Sequence, residues 1–277
     1  MTPILLALAS ASAFGAMTVT IRVGLRDGGE AMRATLATLC VSLTVAVIAS
    51  LPRHDYSDAW RFFLAGVLAP GISQLLFTLS IREVGASRTS VTVGSAPLFA
   101  LTIAFIFLGE PVKAPLVLGA VAIVTGGVLL ALERGRPEHF RARGLIYALI
   151  ASVLFATRDN VVRALHAHGN PEAVAASTML AGALVALLAT RSLPTGRELR
   201  RFAPSGLLFG LSYVCLFEAY FRGRVSVVSP LVATESLWGV GLSALVFRRT
   251  EGLGRRVVLG AAAIVAGGIV IGLTASG

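Results

Sequence analysis

The chain has 277 residues, 56% of them hydrophobic and only 14% charged, with a mean hydropathy of +0.83. Soluble domains carry about 25% charged residues, and a chain of this size has no core large enough to hide so much apolar surface; the composition excludes a soluble globular fold. The net charge of +10 is almost all arginine, with Lys113 the one lysine, and the arginines lie in short segments between apolar runs, where they meet lipid headgroups rather than nucleic acid.

A membrane crossing needs about 20 mainly apolar residues. Ten runs qualify, at residues 3–23, 33–51, 62–81, 88–108, 114–132, 144–163, 172–190, 203–221, 225–247 and 257–275. The first lacks the positive segment that opens a cleaved signal, so it is read as a crossing. The connectors are too short to hold a soluble domain. Open strands cannot survive in lipid, so the expected fold is an all-α membrane protein. Cys40 and Cys215 fall inside apolar runs and read as small buried hydrophobes.

Near the end of each half the chain repeats itself. Residues 118–127 read LGAVAIVTGG and residues 259–268 read LGAAAIVAGG, eight identities in ten. Laying 4–132 over 145–273 brings Phe14 onto Phe155, Arg22 onto Arg163 and Glu110 onto Glu251, with a slip of about two residues near the ninth run. This divides the chain into two five-helix units, 1–135 and 143–277. Five is odd, so the second unit enters the membrane from the opposite side. The expected architecture is ten transmembrane helices as two inverted five-helix repeats, with a site near mid-bilayer between them.

Charge bears on orientation. Connectors after runs 1, 3, 5, 7 and 9 carry 17 Lys/Arg and the other face six, which by the positive-inside rule places both termini outside the cell.

Several stretches resemble the EamA family of the drug/metabolite transporter superfamily: IREVGASRTSVTVGSAPLFALTIAFIFLGEPV from Ile81, with its Phe107-Leu108-Gly109-Glu110-Pro111-Val112 loop; LGAVAIVTGGVLL after it; and SVVSPLVATESLWGVGLSALVF from Ser226, with Glu235-Ser236 where the family commonly has Glu-Pro. The resemblance spans the whole chain and implies a ten-helix carrier with both termini cytoplasmic, against the charge count. One departure is that Arg248-Arg249-Thr250-Glu251 stands where a second Leu-Gly-Glu loop is expected.

Polar residues inside crossings are costly, about 2.5–3.5 kcal/mol for Arg or Asp at a helix centre, so they mark candidate sites. The sharpest is Glu235, near the middle of the ninth run with Pro230 about one turn earlier. It reads as a substrate ligand or proton-carrying carboxylate, or as a structural partner of Arg158. Thr157-Arg158-Asp159-Asn160 interrupts the sixth run. Neighbours on a helix point about 100° apart and are poorly placed to neutralise each other. Arg158 either grips an anion from a cavity or snorkels to headgroup depth. Asp159 is, with Glu235, a proton-coupling candidate. Glu218, four residues before Arg222, suits an interfacial ion pair as well as a cavity. Gln74, the mid-span amide of the first half, and the aromatics Tyr213 and Trp238 complete the substrate-binding candidates.

His54, His139, His166 and His168 fall in connectors and lack companion ligands, so no metal is expected, and no cofactor. Glu110 and Glu251 suit capping or gating at span ends. The glycine-rich runs suit close helix contact, within the chain or as a dimer seam. No catalytic or nucleotide-binding motif is present.

These readings converge on a secondary transporter working by alternating access. It moves a small organic solute such as an amino acid or related metabolite, as an exporter and coupled to protons, through a cavity lined by runs 3, 4, 6, 8 and 9. A lipid or polyprenyl-phosphate flippase on the same fold and a polytopic membrane enzyme acting on lipid headgroups are the competing readings. The expected partners are a small-molecule substrate and the lipid bilayer of the cell (plasma or inner) membrane, without nucleic acid, with the protein a monomer or homodimer.

Overall fold

The computed structural model describes residues 2–26, 29–53, 55–111, 113–132, 141–165, 169–246 and 255–276. His54, His139, His166, His168, Val112 and the Arg248–Glu251 segment lie outside the described residues. Ten helical segments follow in order: α1 Thr2–Arg26, α2 Ala31–Ser50, α3 Ala59–Val84, α4 Ala86–Phe107, α5 Ala114–Leu132, α6 Arg143–Leu165, α7 Pro171–Thr190, α8 Gly196–Arg222, α9 Val225–Val246 and α10 Arg255–Ser276. Eight are long and apolar enough to cross a membrane, while α5 and α10 hold the shorter apolar stretches Ala114–Leu129 and Ala262–Ile271. The chain is a multi-pass membrane protein, all-helical among the described residues.

The helix boundaries follow from local chemistry. α8 starts seven residues earlier than its apolar run because Thr195 and Glu198 form a capping box, the Thr195 hydroxyl accepting from the Glu198 N–H and the Glu198 carboxylate accepting from the Thr195 N–H. α7 starts at Asn170, whose side-chain carbonyl accepts from the N–H groups of Glu172 and Ala173. The sixth run does not break at its polar tetrad: α6 is helical from Arg143 to Leu165.

The backbone breaks come elsewhere. α3 loses helical geometry at Ala69 (φ −146°, ψ 118°) within the wide turn Val67–Ile72. α4 divides into Ala86–Val93 and Ala96–Phe107, and α9 into Val225–Val232 and Glu235–Val246. The α4 and α9 breaks, at Gly94-Ser95 and Ala233-Thr234, lie 139 residues apart (94 to 233). The slip seen in the sequence therefore already holds at the fourth and ninth segments. The first piece of each broken helix packs on the second piece of the other, so the two lie antiparallel with their breaks side by side.

The helix contacts come in pairs related by exchange of the halves. α1 packs on α8 and α6 on α3; α2 packs on α8 and α7 on α3; α1 packs on α9 and α6 on α4; α2 meets α7, and α5 meets α10. The last pair brings the two copies of the repeated decapeptide together. A Cβ built on Gly126 would stand 2.5 Å from the Gly260 carbonyl, and one on Gly267 would stand 2.5 Å from the Gly119 carbonyl. Only glycine permits this approach, and early residues of α5 meet late residues of α10, so the two run antiparallel. The glycines pack within the chain. One polar contact is duplicated as well: Arg22 Nη1 donates to the Ile81 carbonyl at 3.1 Å, and Arg163 Nη1 to the Tyr220 carbonyl at 3.3 Å.

Candidate functional site

Beside the breaks of α4 and α9 lies a pocket whose empty space, solvent at its mouth included, is about 440 Å³. α1 contributes Ser10 and Phe14, α4 Ala96 and Pro97, α6 Phe155, Arg158 and Asp159, α8 Ser212 and Tyr213, and α9 Ser229 and Glu235. Segments 4, 6, 8 and 9 line it as expected, but α1 takes the place expected of α3. The reason is the inter-half packing, in which α1 lies between α8 and α9.

Glu235 is placed by the α9 break. It is the first residue of the second piece, so its side chain leaves the helix where the backbone turns. Pro230 sits inside the first piece, and the opening comes at Ala233-Thr234 instead, where the Ala233 carbonyl accepts from both the N–H and the hydroxyl of Ser236. Glu235 is 4% exposed, and no cation pairs with it among the described residues. The alternative of a structural Arg158–Glu235 pair is not what the structure holds.

Arg158 is 2% exposed and well inside α6, so it does not snorkel. Its guanidinium lies over three rings, 4.7 Å from the centre of Tyr213, 5.4 Å from Phe217 and 5.7 Å from Phe155, a cation–π setting that holds the charge without neutralising it. Asp159 does reach it. Its Oδ1 is 2.8 Å from Arg158 Nε, an ion-pair distance, yet the groups are out of line for a hydrogen bond. Nε and Nη1 of Arg158, Oδ1 of Asp159 and the Tyr213 hydroxyl all lack hydrogen-bond partners. These two adjacent residues thus touch but satisfy each other poorly. The other Asp159 oxygen accepts from the Tyr220 hydroxyl at 2.6 Å.

Of the candidates read from sequence, the structure brings Arg158, Asp159, Tyr213 and Glu235 to one cavity and leaves three outside it. Gln74 is fully buried in α3, its amide nitrogen 3.8 Å from Met17 Sδ. Trp238 is 45% exposed on the outer side of α9. Glu218 belongs to an ion network at one edge of the bundle: it pairs with Arg222 at 2.6 Å and with Arg53 at 2.5 Å, and Arg53 also pairs with Glu172 at 3.0 Å. The sequence reading missed Tyr220, Phe155, Ser10 and Ser212. Tyr220 was detectable only as a partner for a buried acid; the serines look like ordinary small span residues until their hydroxyls meet at 2.9 Å across α1 and α8.

The Glu110 loop has a defined contact. Gly109 takes φ 62°, a left-handed turn glycine accepts at little cost, and Glu110 then reaches across to α9. Its two oxygens accept from the N–H groups of Val225 and Ser226, each at 2.9 Å, satisfying donors and opposing positive charge at a helix start. Its counterpart Glu251 lies outside the described residues. Among those described, no three His, Cys, Asp or Glu side chains converge as metal ligands.

The EamA-like transporter family model matches residues 1–132 and 142–273. The chain belongs to the EamA-like transporter family. It is 26% identical over 133 residues to a glucose-6-phosphate/phosphate translocator 2, chloroplastic, of Arabidopsis thaliana, covering 46% of this chain and 33% of that one. It is 28% identical over 142 residues to a probable terminal-alkyne amino-acid exporter of Streptantibioticus cattleyicolor, covering 50% and 46%. The matched part thus spans less than half of either relative. A solved crystal structure at 18% identity superposes over 99% of this chain and 97% of its own with a TM-score of 0.80, a likeness of fold alone.

Proposed function

We propose that this EamA-family member is a secondary transporter of a small organic solute bearing an anionic group, such as an amino acid or related metabolite. It exports the solute across the cell membrane by rocking two inverted five-helix repeats, 1–135 and 143–277, against each other. One observation carries the substrate reading: Arg158, Asp159, Tyr213 and Glu235 face one mid-bundle cavity, with guanidinium N–H donors and the Tyr213 hydroxyl left without partners. A carboxylate on those donors and an ammonium toward Glu235 would satisfy both charges. Two relatives are named for solutes that carry such an anion, an amino acid and a sugar phosphate.

The duplicated contacts and the antiparallel α5–α10 pair support the inverted-repeat reading, since a twofold axis in the membrane plane produces both. In this reading all ten segments cross the bilayer. A proton on Glu235 or Asp159 couples the flux to the proton gradient.

The flippase reading needs a lateral apolar groove beside Arg158. The large lateral groove, lined by Leu43, Val47, Trp60, Leu64, Ala173 and Leu180, does not contain it.

Uptake of radiolabelled amino acids into proteoliposomes, with and without a pH gradient, tests the proposal. Wild-type protein is expected to show gradient-stimulated flux, and Glu235→Gln to lose that stimulation. Unchanged rate and pH dependence in Glu235→Gln would remove the coupling role. A C-terminal phosphatase fusion decides sidedness: activity outside the cell follows the arginine distribution, and inactivity follows the family pattern.

A further inference from the structure

A second group of unsatisfied polar atoms lies in the first half. Ser73 Oγ, Gln74 Oε1 and Thr78 Oγ1 are buried on α3 without hydrogen-bond partners. Of the other buried span hydroxyls, those of Thr18, Thr35, Ser42 and Ser152 return to the carbonyl one turn back, while those of Ser90 and Ser226 stand singly without partners. Ser73 has no such carbonyl in place, because the residue four before it is Ala69, where the helical geometry is lost. Gln74 makes only the 3.8 Å contact to Met17 sulfur, a weak acceptor.

The repeat relates this group to the Arg158 site. Ser73 corresponds to Ser212 and Gln74 to Tyr213 at the 139-residue spacing of the helix breaks, while Met17 corresponds to Arg158 at the 141-residue spacing of Phe14 and Phe155. The Gln74–Met17 contact is thus the counterpart of the Tyr213–Arg158 contact. The two sites are separated by rings. Phe77, on the same turn as Gln74 and Thr78, packs edge-on against the cavity-lining Phe14 at 5.2 Å and stands 6.4 Å from Phe155.

We infer that Ser73, Gln74 and Thr78 form a second, uncharged subsite for a neutral hydrogen-bonding group of the solute, a hydroxyl or carboxamide. It opens toward the membrane face opposite to that reached by the Arg158 cavity. The inference rests on the inverted-repeat transporter reading. When the halves exchange conformations, α3 takes the place α8 now holds, and the rings of Phe14 and Phe77 separate. The charged half holds the solute's ionic end, and the uncharged half sorts its tail.

Two measurements test this, one of the opening and one of the ligand. In a Cys40→Ser/Cys215→Ser background, Ser73→Cys and Ser212→Cys are labelled with a small cationic methanethiosulfonate in right-side-out and inside-out vesicles. Ser212→Cys is expected to react about tenfold faster from one face and Ser73→Cys from the other, as a minor alternate state allows. A Ser73→Cys thiol that reacts from neither face, or from the same face as Ser212→Cys, overturns the subsite. In proteoliposomes, Gln74→Leu/Thr78→Val is expected to lower the transport of serine and glutamine relative to alanine and leucine about tenfold, the scale of one lost hydrogen bond. An unchanged ratio overturns the ligand class. If the wild type carries none of the four while the thiols still react from opposite faces, the amino-acid reading fails and the opening stands.

Discussion

Two groups of buried charge in the bundle are built differently. At its edge, Glu218 pairs with Arg222 and Arg53, and Arg53 also pairs with Glu172; each arginine is about half exposed, so water shares the load. At its centre, Arg158 and Asp159 touch without aligning, Glu235 has no cation, and water has little access. Arg158 and Asp159, neighbours on one helix, do not align, whereas Glu218 and Arg222, four apart, do, and Glu218 also pairs with Arg53 from a facing segment. Charges that close on each other hold α2, α7 and α8 together. Charges left open need something else to close on, which in the proposed function is the solute.

This contrast can be broken by experiment. The largest effect is expected at Arg158→Lys, which keeps the charge but loses the fork and the stacking on Tyr213. Transport should fall about 10–100-fold, from about 1.5–3 kcal/mol per hydrogen bond to a charged group, with the melting temperature in detergent little changed. A large drop in melting temperature with proportionate loss of flux would make Arg158 structural. Glu218→Gln should do the reverse. It loosens the edge network by about 1–2 kcal/mol, discounted for the exposure of both arginines, and lowers the melting temperature while transport stays within about threefold. A transport loss matching that of Arg158→Lys would erase the distinction between the two groups.

Glu110→Ala removes the acceptor from Val225 and Ser226 and should cost about 1 kcal/mol, as capping residues do. Hydrogen exchange at the start of α9 reads this directly, and unchanged protection there would show that the cap contributes nothing. The smallest effect is expected at Asp55→Asn. Asp55 sits in the α2–α3 connector, where donation from the Ser57 hydroxyl and N–H holds its carboxyl below the usual range. That stabilisation is present above the ordinary Asp range and lost as pH falls through the lowered one. It is local and fully exposed, so transport between pH 5 and 8 should match the wild type. A shifted pH profile would assign to the connector a role now given to Glu235.

Much of the fold was legible before any coordinates. Apolar content dictated membrane helices because lipid offers no partner for an unpaired backbone group, and the repeated decapeptide located two halves whose closing helices do meet, glycine against carbonyl. The helix breaks were less legible: interruptions are expected in the sixth, eighth and ninth runs, and only the ninth breaks, while α3 and α4 break unannounced. A polar tetrad in α6 does not interrupt its helix, because Arg158, Asp159 and Asn160 are buried in the bundle rather than facing lipid and the backbone stays helical throughout. Ala69 and Gly94-Ser95, by contrast, turn where no charged residue interrupts the run, beside Pro70-Gly71 and before Pro97.

Sequence alone also supplied a short roll of in-span polar residues, Arg158, Asp159, Glu235, Glu218, Gln74 among them, since each is too costly to bury without purpose. It did not say which of them meet. That depends on how far each helix is rotated about its axis and where it crosses its neighbours, which is settled by packing between residues more than a hundred positions apart. Tertiary structure put Glu235 on the broken turn facing Arg158's cavity, sent Trp238 outward one turn later, drew Glu218 to Arg53 at the edge, and left Gln74 behind a wall of phenylalanine.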